Sequence, residues 1–517
     1  MHRRTQNMKT MKNKLILGTI LVIFTLNSCD ESLLDTTSEN NVPSDGYYKT
    51  TDELSRAVTG AYALVQGANL GGRELFFLQD LRSDDVASGG GQLETARNQV
   101  LIGSLNTTNA VMTAVYNGFF RLVHRSNAII AGAAEATGDE ALKTRLTAEA
   151  RFLRAWAYYN LAGFWGGVPL YQTYGASFSD AAARASADEI WAFVTSELED
   201  LKDDLPTSYG GADLGRATRG AALTLLGKAW LFNGNYANAK TALEAVKGLG
   251  YSLTPKYFDN FSEETEYNSE SIFEFSYTSS GNYNWDADGN GTVVNESWIR
   301  SQEYSAVGWR NLIPSDGLLN EYETGDPRLK DNFFFIGDKY GDPASPLTLT
   351  VDKVQGNTSN FHGVAQKISW RKYSVMYKLD PGGYYDKIGI NYRMFRYADV
   401  LLMLAECENE VGTGAAAIAY LNQIRNRASV MMPNYPTADY PCNSAAEITR
   451  AIIHERRTEL GGEEVRNFDI LRWRKFGKLA NEPIPYFEPN KYELLPIPQD
   501  ELNNNPNITQ ANQNPGY

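Results

Sequence analysis

Three cysteines in 517 residues are too few to build a fold on disulfides. Four histidines, with no HExxH spacing and no Cys/His cluster, leave no zinc-site signature. Basic charge is scarce as well. Five of the 48 Lys and Arg fall in the first 28 residues, where none of the 62 Asp and Glu does, so the remainder carries a formal net charge of −19. That balance argues against nucleic acid and against an anionic membrane surface as partners. Long apolar runs are missing too, because the most apolar stretch, "LILGTILVIFTL" at 15–26, is too short to anchor a chain across a bilayer. No nucleophile elbow or phosphate loop appears. What remains is a chain with 43% hydrophobic residues, enough for one large or two intimate domains.

The basic stretch "MHRRTQNMKTMKNK" followed by that short apolar run reads as a signal peptide over 1–28. It ends in "LNSC", which resembles the lipobox cut by lipoprotein signal peptidase and makes Cys29 the diacylated first residue of the mature chain. The acidic "DESLLD" that follows is similar to the export signal of Bacteroidetes surface lipoproteins. The expected product is a soluble body held to the outer membrane by lipid chains alone, with 29–45 as the linker. Cys407 sits in an apolar helical pattern and reads as a core residue.

Helical periodicity dominates the body. In "EARFLRAWAYYNLAGFWGGVPL" (149–170), Phe152, Trp156 and Tyr159 form one apolar stripe, and Leu153, Ala157 and Leu161 form another beside it. A helix this broadly apolar is expected between neighbours, with "GGVP" ending it. In "AALTLLGKAWLFNGNYANAKTALEAV" (221–246), Leu226, Gly227, Trp230, Gly234, Tyr236 and Ala239 match tetratricopeptide spacing. A related hairpin reads at 398–428. Further amphipathic helices are expected at 51–66, 110–135, 188–204 and 445–460. Between 251 and 392 the chain turns to Gly, Asn, Asp, Ser, Tyr and Trp with short strand-like runs, the composition of long loops on a rigid scaffold.

Together, the lipobox, "AEARFLRAWAYYNLAGFWGGVPL", "YRMFRYADVLLMLAECENEVG", "AAAIAYLNQIRNRA", "IIHERRTELGGEEVRNFDILRW" and "LLPIPQDELNNNPNITQANQNPGY" resemble the SusD/RagB family of Bacteroidetes nutrient-binding lipoproteins. The resemblance implies a mostly α fold, with tetratricopeptide-like hairpins packed into one globular body carrying long loops and a few short strands. It divides the body into an N-terminal part (46–250) and a C-terminal part (251–517). It also implies capture of an oligosaccharide and its delivery to a SusC-like TonB-dependent transporter, without catalysis. Peptide capture is the alternative, as in some branches of the family; a surface glycoside hydrolase and a protein-interaction scaffold stand behind it.

Glu455 and Glu459, one helical turn apart, read as salt-bridge partners of Arg456, Arg457 and Arg466 rather than as an acid/base pair. "DADGNG" matches the first half of a calcium loop through Asp286, Asp288 and Asn290, but the twelfth position is Ser297 and Glu296 falls one residue early. A turn between strands explains the same letters, so structural calcium is the only cofactor considered. A sugar site needs exposed rings flanked by polar groups. Tyr283, Trp285, Trp298, Tyr304 and Trp309 are the candidate rings, Trp285 and Trp298 foremost. Arg82, Asp84 and Asp85, in "LQDLRSDDVASGGGQ" (78–92), are the candidate polar contacts.

Overall fold

The computed structural model describes residues 48–175, 181–285, 287, 293–382, 384–385 and 387–517. Helices carry the architecture: α1 (Thr51–Val65), α2 (Glu74–Leu81), α3 (Thr95–Leu101), α4 (Ala110–Glu135), α5 (Glu140–Trp165), α6 (Ala187–Leu201), α7 (Arg219–Phe232) and α8 (Tyr236–Lys247) in the first half. The second half adds α9 (Tyr397–Val411), α10 (Gly414–Arg425), α11 (Ala445–Leu460) and α12 (Arg466–Lys475). Their starts are set by local chemistry. Thr50 with Glu53 and Ser186 with Glu189 close capping boxes on α1 and α6, and Asn109 and Asp139 cap α4 and α5 through their side chains. Gly166 and Gly234, at φ +71° and +75°, end α5 and α7 in conformations that favour glycine.

Consecutive helices pack as hairpins, α4 on α5, α5 on α6, α7 on α8 and α9 on α10, and α9 joins the halves by lying against both α8 and α11. Gly227 makes the α7–α8 contact close, since a Cβ there would lie 2.6 Å from the Leu243 side chain. The broadly apolar α5 is sandwiched as its sequence requires. Phe152, Trp156, Tyr159 and Trp165 are all buried, and Phe119, Trp191 and Phe468 pack on the rings of this helix. Tyr158, on the more polar arc of that helix, is buried too, its hydroxyl accepting the Tyr171 N–H at 2.7 Å.

Strands among the described residues form only two-stranded antiparallel ribbons. One pairs Ser271–Phe275 with Tyr392–Arg396, Phe275 opposite Tyr392 and Ser271 opposite Arg396. Its Phe273 and Phe275 pack on Phe152 and Trp156 of α5, joining the loop-rich region to the helical body. A second ribbon pairs Val86–Ser88 with Leu312–Pro314. Cys407 and Cys442 are buried and unpaired, and burial raises both thiols.

The charge cluster on α11 is interior, and its pairing differs from the expected one. Glu455 meets Arg328 and Arg425, while Glu459 meets Arg328, Arg396 and Arg427. Arg456 turns instead to Asp399 and Asp469, and Arg457 and Arg466 to Asp84. Successive residues thus belong to different networks, because side chains of consecutive helical residues point about 100° apart, while Glu455 and Glu459, one turn apart on the same face, share Arg328.

Candidate functional site

Past Phe275 the chain leaves the ribbon and builds a rigid base for exposed rings. The Asn282 carbonyl accepts the N–H groups of Glu296 and Ser297 (3.0 and 3.2 Å), and Asn295 accepts the Asn284 N–H at 2.6 Å while donating to the Gln66 carbonyl at 3.2 Å. Trp285 projects from this base with 43% of its surface exposed. Trp309, half-buried, lies 5.7 Å from it with the ring planes 33° apart. Tyr384, 51% exposed, follows at 5.9 Å from Trp309 and 51°. Three rings from three chain segments therefore form one platform. Tyr283, buried, supports Trp285 edge-on at 4.7 Å.

Polar groups hold and flank the platform. The Arg73 guanidinium lies 4.9 Å from the Trp285 ring centroid, donates to Glu303 at 2.5 Å and reaches Glu94 at 3.4 Å. Burial would lower the Arg73 pKa, but Glu303 and Glu74 outweigh it and raise it well above the usual value, so the charge is permanent. Burial raises the Glu303 carboxyl despite that neighbour. Glu94 is the exposed carboxylate of the group. Arg310, buried beside Trp309, staples the surrounding loops by donating to the carbonyls of Gln355, Asn357 and Ile368, each at 2.8 Å, and to Ser369 Oγ at 2.7 Å. Gly89 packs directly on it, since a Cβ there would fall 1.6 Å from the Arg310 carbonyl oxygen. The glycine-rich stretch therefore does reach the platform's foundation, through its glycines.

Of the expected site residues, Trp285 and Trp309 are together on the surface. Trp298 is a correction: it is 0% exposed, stacked 5.5 Å from Tyr277 with its indole N–H donating to the Gly71 carbonyl at 2.9 Å. Tyr304 is likewise interior, packed on Phe76 and Phe77, its hydroxyl donating to Asp80 at 3.1 Å. Tyr283 has its ring beneath Trp285 rather than facing solvent. The polar trio is spent on structure. Arg82 donates to the Tyr492 carbonyl at 3.0 Å, Asp84 takes a bidentate bond from Arg466 (2.7 and 3.0 Å), and Asp85 accepts from Arg457 at 2.9 Å. Burial would raise the Asp84 carboxyl, but Arg466 and Arg457 hold it low; at Asp85 burial prevails and raises it. Cys29, Asp286, Asp288 and Asn290 lie outside the described residues. Ser297, at the twelfth position of the calcium-like pattern, is buried. Among the described residues no cluster of three or more His, Cys, Asp or Glu is arranged to hold a metal ion.

Tyr384, Arg73 and Glu94 were not legible as site residues. "DPGGYYDK" (380–387) has the same glycine- and tyrosine-rich look as 281–310 and carried the signal for Tyr384. Arg73 and Glu94 have none, since only the fold brings Arg73 to Trp285 and Glu94 to Arg73.

Comparison with known proteins identifies the family and the fold. The sequence model of the SusD family matches residues 258–517, and one described as SusD-like, starch-binding and associating with the outer membrane matches 33–231. SusD-like protein P2 of Formosa agariphila is 26% identical over 96% of this chain and 98% of its own. Among solved structures, a laminarin-binding SusD-like protein superposes with TM-score 0.73 at 26% identity, covering 91% of this chain and 100% of its own. A SusD-like protein of Bacteroides fragilis gives 0.74 at 24%, covering 92% and 98%. No helix among the described residues is long and apolar enough to cross a membrane.

Proposed function

The chain belongs to the SusD family, and from that premise we propose that it captures oligosaccharides at the cell surface and passes them to a SusC-like TonB-dependent transporter, anchored by lipid on Cys29. The observation that carries this reading is the exposed row of Trp285, Trp309 and Tyr384 with Arg73 and Glu94 at its edge. Sugar rings present apolar C–H faces between hydroxyls. Stacked aromatics take the faces, and charged groups take the hydroxyls through charge-assisted hydrogen bonds. The laminarin-binding relative and the starch-binding family description point to the same ligand class. Capture without turnover is favoured because Glu455 and Glu459 are fully buried in arginine ion pairs and unavailable as an acid/base pair.

The test is a glycan array followed by calorimetry with laminarihexaose and malto-oligosaccharides, products being analysed after prolonged incubation. Binding with intact oligosaccharide supports the reading. Hydrolysis would move the protein to the glycoside hydrolases, and binding of peptides alone would move it to the peptide-capturing branch. Co-purification from native membranes in mild detergent tests the transporter partner.

A further inference from the structure

The segment 203–218, "DDLPTSYGGADLGRAT", is a further glycine-rich loop, and it is held far more firmly than its composition suggests. Its anchor is Glu149 on α5, whose fully buried carboxylate accepts from the hydroxyls of Tyr62 (3.1 Å) and Tyr209 (3.3 Å) and from Arg216 (3.0 Å). Asp213 in the same loop pairs with Arg145 at 3.0 Å and with Arg216 at 2.8 Å. Arg145 also sits 5.4 Å from the Tyr209 ring centroid, so that half-buried ring is fixed at its hydroxyl and flanked by a guanidinium.

Clefts open on both sides of this loop. One, of about 250 Å³, is bounded by Tyr209, Tyr251, Tyr267 and the strand Ser271–Phe275. The other, of about 220 Å³, lies between Leu214, Tyr62 and Gln66. Leu214, 46% exposed, forms the ridge between them. Gly215, at φ +93°, lets the chain pass close to the floor, where a Cβ would sit 2.8 Å from the Tyr267 hydroxyl. The hydroxyls of Thr207, Ser208 and Ser271 line the first cleft, and none of them has a hydrogen-bond partner among the described residues. Gln66 ends the second cleft and its carbonyl also holds Asn295, at the base of the Trp285 loop.

We propose that this loop and its clefts form a second oligosaccharide site, distinct from the Trp285 platform and selective for neutral glycans. Fixed tyrosine rings beside unspent hydroxyls are the chemistry a sugar requires. Arg216, the cation lining both clefts, and Arg145 behind the Tyr209 ring are already neutralised by Glu149 and Asp213, so the site offers no free positive charge to a uronate or sulfate ester. A capture protein with two sites gains retention on a polymer through local concentration, without a tight contact at either.

The experiment is native affinity electrophoresis of the full chain through gels containing laminarin, soluble starch or pectate, with folding of each variant checked by circular dichroism. Trp285→Ala/Trp309→Ala removes the platform. On a neutral polysaccharide that retards wild type, this double variant is expected to keep a residual retention roughly 10-fold weaker. Adding Tyr209→Ala should abolish that remainder, and so should the exposed cleft-blocking change Ser208→Trp, which leaves the Glu149 anchor intact; Tyr209→Phe should preserve most of it. Complete loss of retention in the double variant overturns the proposal while leaving the platform reading in place. A remainder that both Tyr209→Ala and Ser208→Trp leave unchanged, or one seen only on pectate, also overturns it. A wild type retarded by no neutral polysaccharide overturns this site and the platform reading together.

Discussion

Trp285 and Trp298 occupy the same kind of sequence, polar and glycine-rich, yet one ring is 43% exposed and the other 0%. The difference lies in the residues just beyond each ring. Trp298 is succeeded by Ile299 and a short helix, Arg300–Tyr304, and both Trp298 and Tyr304 pack edge-on against Phe76 of α2, whereas the sequence after Trp285 is the polar, glycine-containing "DADGNG". Substitution separates the roles. Trp298→Ala should cost about 3 to 5 kcal/mol of stability, read as a large drop in melting temperature. Trp285→Ala and Trp309→Ala should each weaken glycan binding roughly 10-fold with the melting temperature nearly unchanged, as calorimetry and thermal denaturation would show. The buried aromatics of α5 were legible because their helical period announces a core face. Which loop rings remain outside was not, because exposure in a loop depends on tertiary neighbours such as Arg73, 212 positions before Trp285 in sequence. His454 offers a second test at this scale. Burial alone would lower its pKa, but hydrogen bonds to Glu321 (2.7 Å) and Glu323 (3.4 Å) raise it to about 9 from 6.5. The stabilisation is therefore complete below about pH 6.5 and is lost as pH rises through about 9. Wild type should lose melting temperature between pH 7 and 10 more steeply than His454→Gln, and parallel curves would show the imidazolium to be unimportant.

At the scale of elements, the helices with a sustained apolar period were readable nearly to their ends, whereas the shorter α2, α3 and α12 were not read as helices. The expected 110–135 and 445–460 coincide with α4 and α11, and the expected 51–66 and 188–204 differ from α1 and α6 by one to three residues at an end. Caps and apolar stripes are local signals, and the helices obey them. The platform obeys none. It is assembled from loops at 285, 309 and 384, and the middle one is fixed by Arg310, which donates to the carbonyls of 355, 357 and 368. Arg310 touches no exposed ring face in the described structure, so its effect on ligand must pass through loop position. Arg310→Ala removes the donor from those carbonyls, of which the one at Ile368 is buried. The expected outcome is a loss of affinity of roughly 10-fold together with faster amide exchange in 305–311 and 353–358, with α7 and α8 unaffected. Gly227→Val gives the reverse pattern. A Cβ 2.6 Å from the Leu243 side chain forces α7 from α8, at a cost of about 1 to 3 kcal/mol, while the platform, on separate elements, should retain its affinity once the variant is folded.

For the whole molecule the decisive contrast is between a body whose outside is acidic and whose inside is dense with paired arginine, and a start that is basic, apolar and ends at Cys29. Arg300, Arg328, Arg396, Arg427, Arg456 and Arg472 are all buried in ion pairs with carboxylates. Such pairs add little net stability over apolar packing, but losing one partner strands the other, so they fix which helix meets which. They also remove basic charge from the surface, which leaves the outside of the body poorly suited to anionic lipid headgroups. On the proposed reading, membrane attachment then falls to acyl chains on Cys29 and to a protein partner, and these two contributions can be separated. Cys29→Ala should fold, melt within a few degrees of the native protein, and bind the same oligosaccharide with unchanged affinity. In cells lacking the transporter it should leave the membrane fraction for the soluble one. With the transporter present, a fraction of membrane-associated protein should persist and should be released by detergent together with the barrel. On the proposed reading, lipidation would confine the native protein to the same surface as its partner, so the protein–protein contact need be only moderately tight. Full membrane association of Cys29→Ala in the transporter-free strain would show that the body itself binds lipid, against the charge argument and against the anchor alike.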